Sequence, residues 1–115
     1  MTNYLNCKNG VIFVGSKTPG NGKVVGNIYR GVLRRGSSHS IKSGTVVGNV
    51  KDNFVYEGGN SSIGSGHKIA RIKSGYICTM SGEKLKKIKD VEVYGAEGFD
   101  ETLIAAIDFF FGGFA

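Results

Sequence analysis

The stretch GKVVGNIYRGVLRRG, residues 22–36, returns as GTVVGNVKDNFVYEG, residues 44–58, and this near-duplication constrains the fold more than any other feature. Gly22, Gly44 and Gly66 are spaced 22 residues apart. Counted from each glycine, the third residue is Val25, Val47 or Ile69, and the fourth is Gly26, Gly48 or Ala70. The sixth is Ile28, Val50 or Ile72, and the eleventh Leu33, Val55 or Ile77. Four positions stay apolar or small through three copies, as expected of one supersecondary unit used repeatedly.

Between the sixth and eleventh positions lie Arg30-Gly31, Asp52-Asn53 and Ser74-Gly75. Residues able to take positive φ, set between β-branched and aromatic runs, are what a two-residue hairpin turn requires. Each copy is therefore expected to be a β-hairpin, with Ile28 opposite Leu33, Val50 opposite Val55 and Ile72 opposite Ile77 as apolar cross-strand pairs. Upstream, CKNGVIFVG places Asn9-Gly10 at a turn with Cys7 opposite Ile12. Downstream, LKKIKDVEVYG places Asp90-Val91 at a turn with Ile88 opposite Val93. The links SKTPGN, SSHSIKS and GNSSIGS are polar and rich in turn residues.

Single hairpins of this size are barely stable, so they must share a core. The expectation is a mainly β protein with four to five repeated hairpins, of period about 22 residues, in a radial or barrel-like arrangement. A linear β-solenoid is the alternative. In the ring, the small residue at Gly26, Gly48 and Ala70 is expected where strands crowd near the axis. Residues 4–94 would hold the hairpins within a single domain, 1–115.

After Tyr94 the periodicity changes. FDETLIAAIDFFFGGFA offers Asp100 as an N-cap, acids in the first turn, apolar Phe99, Leu103, Ile107, Phe110 and Phe114 at helical spacing, and Gly112-Gly113 as a stop. One short C-terminal α-helix is predicted over 97–111. Its stripe is expected to cap an open end of the hairpin assembly, or to serve as an interaction helix for self-association through Leu103, Ile107, Phe110 and Phe114.

The phrases KVVGNIYRGVLRRG, TVVGNVKDNFVYEG and HKIARIKSGYI resemble the small bacterial four-fold β-flower proteins, in which short hairpins surround a pseudo-four-fold axis. The resemblance covers roughly residues 4–94 and implies a fold but no site. Longer links and the C-terminal helix depart from that pattern. YRGVLRRG and YEGG are also similar to MORN repeats, although the Trp of those repeats is missing here, and no lipid or partner binding is carried over.

Charge is uneven along the chain. Residues 1–82 hold eleven Lys or Arg against Asp52 and Glu57, whereas residues 83–115 hold four Lys against seven acids, within a net charge of +6. The seventh position of each unit is Lys8, Tyr29, Lys51, Lys73 or Lys89, and in a ring these would gather at one rim. Arg34 and Arg71 would join them, with Phe54, Tyr56 and Tyr76 interleaved. Such a rim could hold single-stranded nucleic acid or another polyanion, the cations meeting phosphates and the rings stacking on bases. The plainer reading of these lysines is a solvated face that protects strand edges.

Other chemistry finds little support. His39 and His67 stand in polar links with no neighbours at metal-ligand spacing, and SSHS lacks an orienting acid. Cys7 and Cys78 read as reduced core thiols, and GSKTPGNGK lacks the Gly-Lys-Ser/Thr ending of a phosphate loop. No catalytic residue, metal site or cofactor is expected. No leader or membrane span is evident, so a soluble cytoplasmic protein without membrane partners is expected. The function expected is a non-enzymatic structural or protein-interaction module, with the polyanion rim as the alternative.

Overall fold

A computed structural model describes residues 4–112. Ten strands form one sheet: β1 (Leu5–Lys8), β2 (Val11–Val14), β3 (Lys23–Tyr29), β4 (Val32–Arg35), β5 (Thr45–Lys51), β6 (Phe54–Glu57), β7 (His67–Lys73), β8 (Tyr76–Cys78), β9 (Lys84–Lys87) and β10 (Val93–Tyr94). A helix, α1 (Glu101–Phe111), follows. The strands run as an antiparallel meander from β1 to β9, while β10 lies on the outer edge of β1 in parallel. Strands β9 and β10 are the sheet's two edges and do not pair with each other, so the sheet is not a closed barrel.

Four hairpins form in the register that turn chemistry predicts. Cys7 lies opposite Ile12, Ile28 opposite Leu33, Val50 opposite Val55 and Ile72 opposite Ile77. Asn9, Arg30, Asp52 and Ser74 open the turns in left-handed backbone, at φ between +49° and +56°. Each turn is then held by the next unit. The amide N–H groups of Ile28, Val50, Ile72 and Ile88 donate to the carbonyls of Gly10, Gly31, Asn53 and Gly75 at 2.7–3.0 Å. A bulge recurs between neighbouring hairpins, at Ile12/Phe13, Leu33/Arg34, Val55/Tyr56 and Ile77/Cys78, re-aiming the strand at the same height each time.

The fifth hairpin does not form. Ile88–Asp90 makes a single 3-10 turn, and Val91 sits at φ −86°, where a primed turn would need a positive value. A β-branched residue resists that conformation. The chain instead crosses to β1, pairing Val93 with Leu5 and Tyr94 with Asn6.

Helix α1 is in the core and not at an end of the assembly. Ala105, Ala106, Ile107, Phe110 and Phe111 share one buried cluster with residues of all four hairpins, among them Leu5, Ile12, Leu33, Val55 and Ile77. Asp100 caps the helix by accepting from the Leu103 N–H at 2.8 Å. Near the same end, Thr102 Oγ1 donates to the Asp52 carbonyl in a hairpin turn. At the other end Arg35 Nη2 donates to the Phe110 carbonyl at 3.2 Å. The helix therefore lies along the hairpins, from their turns toward their links.

The small residues have their explanation here. A Cβ on Gly26 would stand 2.5 Å from the Phe111 ring and 2.3 Å from the Arg34 carbonyl; one on Gly48 would stand 2.4 Å from the Phe110 ring and 2.3 Å from the Tyr56 carbonyl. The crowding expected among strands is thus completed by helix aromatics. In β9 the corresponding place is taken by Lys86, whose ammonium pairs with Asp108 of the helix at 3.2 Å.

Replacing Gly48 with Val should lower unfolding free energy by about 3 kcal/mol or more, since neither the ring nor the carbonyl has room to retreat. Urea denaturation of Gly48→Val beside the parent checks this; an unchanged midpoint would mean that Phe110 is not seated there.

Candidate functional site

Alternation along the strands puts Lys8, Val11 and Phe13 on the face opposite Cys7 and Ile12, and this outer face carries the candidate residues. Its scaffold is a set of buried asparagines. Asn6, Asn27 and Asn49 are fully buried. Asn27 Nδ2 donates to the Ser43 carbonyl and its Oδ1 accepts from the Lys42 N–H at 3.1 Å. Asn49 treats Ser65 and Gly64 in the same way, and Asn6 holds Ser16, Asn21 and Gly20. Each polar link is therefore pinned to the strand beneath it by one satisfied amide. The signal was present as an asparagine recurring inside apolar strands, at the fifth position of the unit.

The third copy breaks this rule. Arg71 stands where Asn27 and Asn49 stand, the link after its hairpin is short, and Arg71 Nε is buried without a hydrogen-bond partner. Arg34, opposite Asn27 across its hairpin, likewise buries Nη1 without a partner.

Lys8, Lys51, Lys73 and Lys89 are all exposed, with Tyr29 at the equivalent place in the second unit, but they do not form one uniform rim. The stems of Lys8 and Lys51 lie across the links, with Cδ 2.8 Å and 3.0 Å from where a Cβ on Gly20 or Gly64 would stand. Their methylenes pack while the ammonium reaches water. Lys73 lines a groove of about 210 Å³ with Arg71, Phe54 and Asp52. Lys89 lines one of about 320 Å³ with Tyr76, Lys87 and Glu101. Arg34 lines a third groove together with Tyr29, Arg30 and Lys42.

The aromatics are less open than base stacking requires. Tyr56 is buried, and Phe54 and Tyr76 are half-buried. Lys68 Nζ sits 4.2 Å from the Phe54 ring centroid and Lys84 Nζ 4.5 Å from that of Tyr76, covering one face of each. These rings hold cations in place on the outer face. Lys17 is held in the same manner over Tyr4, 4.7 Å from its centroid. Beside it, the Tyr94 hydroxyl donates to Glu92 Oε2 at 2.6 Å, which raises the phenol's pKa.

The interaction helix needs correction. Ile107 and Phe110 are buried against the sheet and Leu103 is half-buried, so the stripe is the core itself. Phe114 lies outside the described residues. Phe109, 46% exposed, is the aromatic of α1 that faces solvent.

Both cysteines are free and buried. Cys7 Sγ donates to the Gly95 carbonyl at 3.3 Å, and burial, reinforced by the Glu97 carboxylate, pushes its pKa up from 9.0 to about 11. His39 packs on Phe13, with ring centroids 5.7 Å apart. Among the described residues no group of three or more His, Cys, Asp or Glu is placed to hold a metal ion, and no helix is long and apolar enough to cross a membrane. No family model, no curated protein and no solved structure matches the chain.

Because the fold favours the protonated thiol, Cys7 contributes stability that is complete below about pH 9 and is lost as pH rises toward 11. Urea midpoints from pH 7 to 10.5 should fall more steeply for the parent than for Cys7→Ala. Parallel profiles would remove Cys7 as the source.

Proposed function

We propose that this chain is a non-enzymatic β-repeat module whose outer face binds a polyanion, with single-stranded nucleic acid as the representative ligand. We also infer that its hairpins are repeats of about 22 residues standing radially about α1, in the manner of the four-fold β-flower proteins. The recurring turn hydrogen bonds and the recurring buried asparagines support that arrangement.

One observation carries the functional reading. Cations recur on the outer face from unit to unit with few acids beside them, and several lie over aromatic rings instead of carboxylates. Among the described residues the ion pair present, Lys86 with Asp108, ties strand to helix and leaves that surface unneutralised. A polymer of regularly spaced phosphates could neutralise several such cations at once and release their counterions. Covered ring faces favour contact with the backbone over stacking with bases, so little base preference is expected.

Fluorescence anisotropy with labelled single-stranded DNA over a salt series tests this. Four phosphate contacts, from Lys8, Lys51, Lys73 and Lys89, predict log affinity falling against log salt with a slope of about −3. The reversal Lys51→Glu/Lys73→Glu should weaken binding at least ~10-fold while leaving the circular dichroism spectrum unchanged. Absence of binding at low salt, or equal binding by the reversed protein, refutes the reading.

A further inference from the structure

The groove between the second and third hairpins differs from its neighbours. It encloses about 330 Å³ and is lined by Tyr29, Arg30, Val32, Arg34, Lys42, Ser61 and Ile63. Three cations face it and no carboxylate does, whereas Asp52 and Glu101 line two of the other grooves. Arg34 lines it, and the Nη1 of this residue is buried without a hydrogen-bond partner. Leaving a charged donor unsatisfied costs stability that an accepting guest would restore.

Two of the three cations stand in backbone conformations poorly suited to them. Lys42 is at φ +70°, where the corresponding link positions are Gly20 and Gly64. Arg30 is at φ +49°, in a turn position where asparagine, aspartate or glycine is favoured. Both converge on one ring: Lys42 Nζ is 4.3 Å and Arg30 Cζ 5.2 Å from the Tyr29 centroid. The Lys42 backbone is further fixed by its N–H bond to buried Asn27. Lys42 is thus the departure, a non-glycine residue in left-handed backbone that brings its charge beside Arg30.

We propose that this groove is an oxyanion site taking a phosphate monoester group. Arg34 at its floor would donate to phosphate oxygens, Arg30 and Lys42 would flank the dianion, and the Ser61 hydroxyl and Ile63 would close the side toward the link. The site rests on the anion-binding reading above but needs none of Lys8, Lys51, Lys73 or Lys89. It fits equally a small phosphate ester or the terminal phosphate of a polymer.

Inorganic phosphate titrated into the ¹⁵N-labelled full chain, followed by amide shifts, tests the site. Saturable shifts should appear at Arg34, Lys42 and Ser61, and Arg34→Met should weaken binding at least tenfold. If Arg34→Met loses its native spectrum, Arg30→Met/Lys42→Met carries the test with the same expected loss. Lys17→Met, outside both the groove and the rim, should bind phosphate as the parent does. An oligonucleotide with a 5′-phosphate, compared with one lacking it, separates the two sources: a preference that vanishes in Arg34→Met identifies a polymer end. Equal binding of the two oligonucleotides alongside phosphate-induced shifts identifies a small ester. Oligonucleotide binding without groove shifts on adding phosphate overturns the groove and leaves the rim standing. Groove shifts without oligonucleotide binding overturn the rim and leave the groove.

Discussion

Two phenylalanine rings seated on two glycines hold the rest of this structure in place. Phe111 lies against Gly26 and Phe110 against Gly48, each so closely that one added carbon would collide. Burying such side chains is worth about 1.5–3 kcal/mol apiece, and Ile107 adds a similar amount. A chain of this length has only about 6–17 kcal/mol of net stability, so truncating either ring, at about 3–5 kcal/mol, would remove a sizeable part of it. The four hairpins meet in the same core cluster as the helix, and the open edge between β9 and β10 is tolerable because that core does not depend on closing the sheet.

The outer face follows from this inner one. Strand alternation sends each core residue's neighbours outward, so a fixed core fixes the heights of Asn27, Asn49 and the lysines beside the turns. The asparagines then pin the links, and the links with the strands frame grooves between hairpins. Where a cation replaces an expected residue, as Arg71 does for asparagine and Lys42 for glycine, the departure lies on that outer face. Departures from the local rule outside the core are where function is best sought.

Much of the hairpin architecture was legible in the residues. Asn-Gly, Arg-Gly and Ser-Gly pairs between β-branched runs marked turns, and the cross-strand pairs fell in the expected register because a two-residue turn leaves no other choice. The fate of residues 88–94 was hidden: Ile88 keeps its place beneath the Gly75 carbonyl, but Val91 cannot complete a turn, and pairing with the distant β1 edge decided the rest. The helix was visible from Asp100 and the apolar spacing, yet its destination was not. Helical periodicity shows that one face is buried without showing against what, and Gly26 and Gly48 pointed to crowding without naming its source. At the candidate site the exposed lysines were where spacing put them, whereas the stems over Gly20 and Gly64 and the cations over rings depend on contacts between links and strands that linear spacing does not encode.

The central claim is that α1 is the interior of the hairpin assembly. Amide hydrogen exchange on a chain ending at Gly98 tests it most directly, read at the N–H groups of Ile28, Val50 and Ile72 that lock each turn to the next unit. If the helix is the shared core, those amides lose protection together and exchange near unfolded-chain rates. Retained protection at the three positions, with cooperative urea unfolding, would show that the hairpins hold one another without it and would contradict the claim.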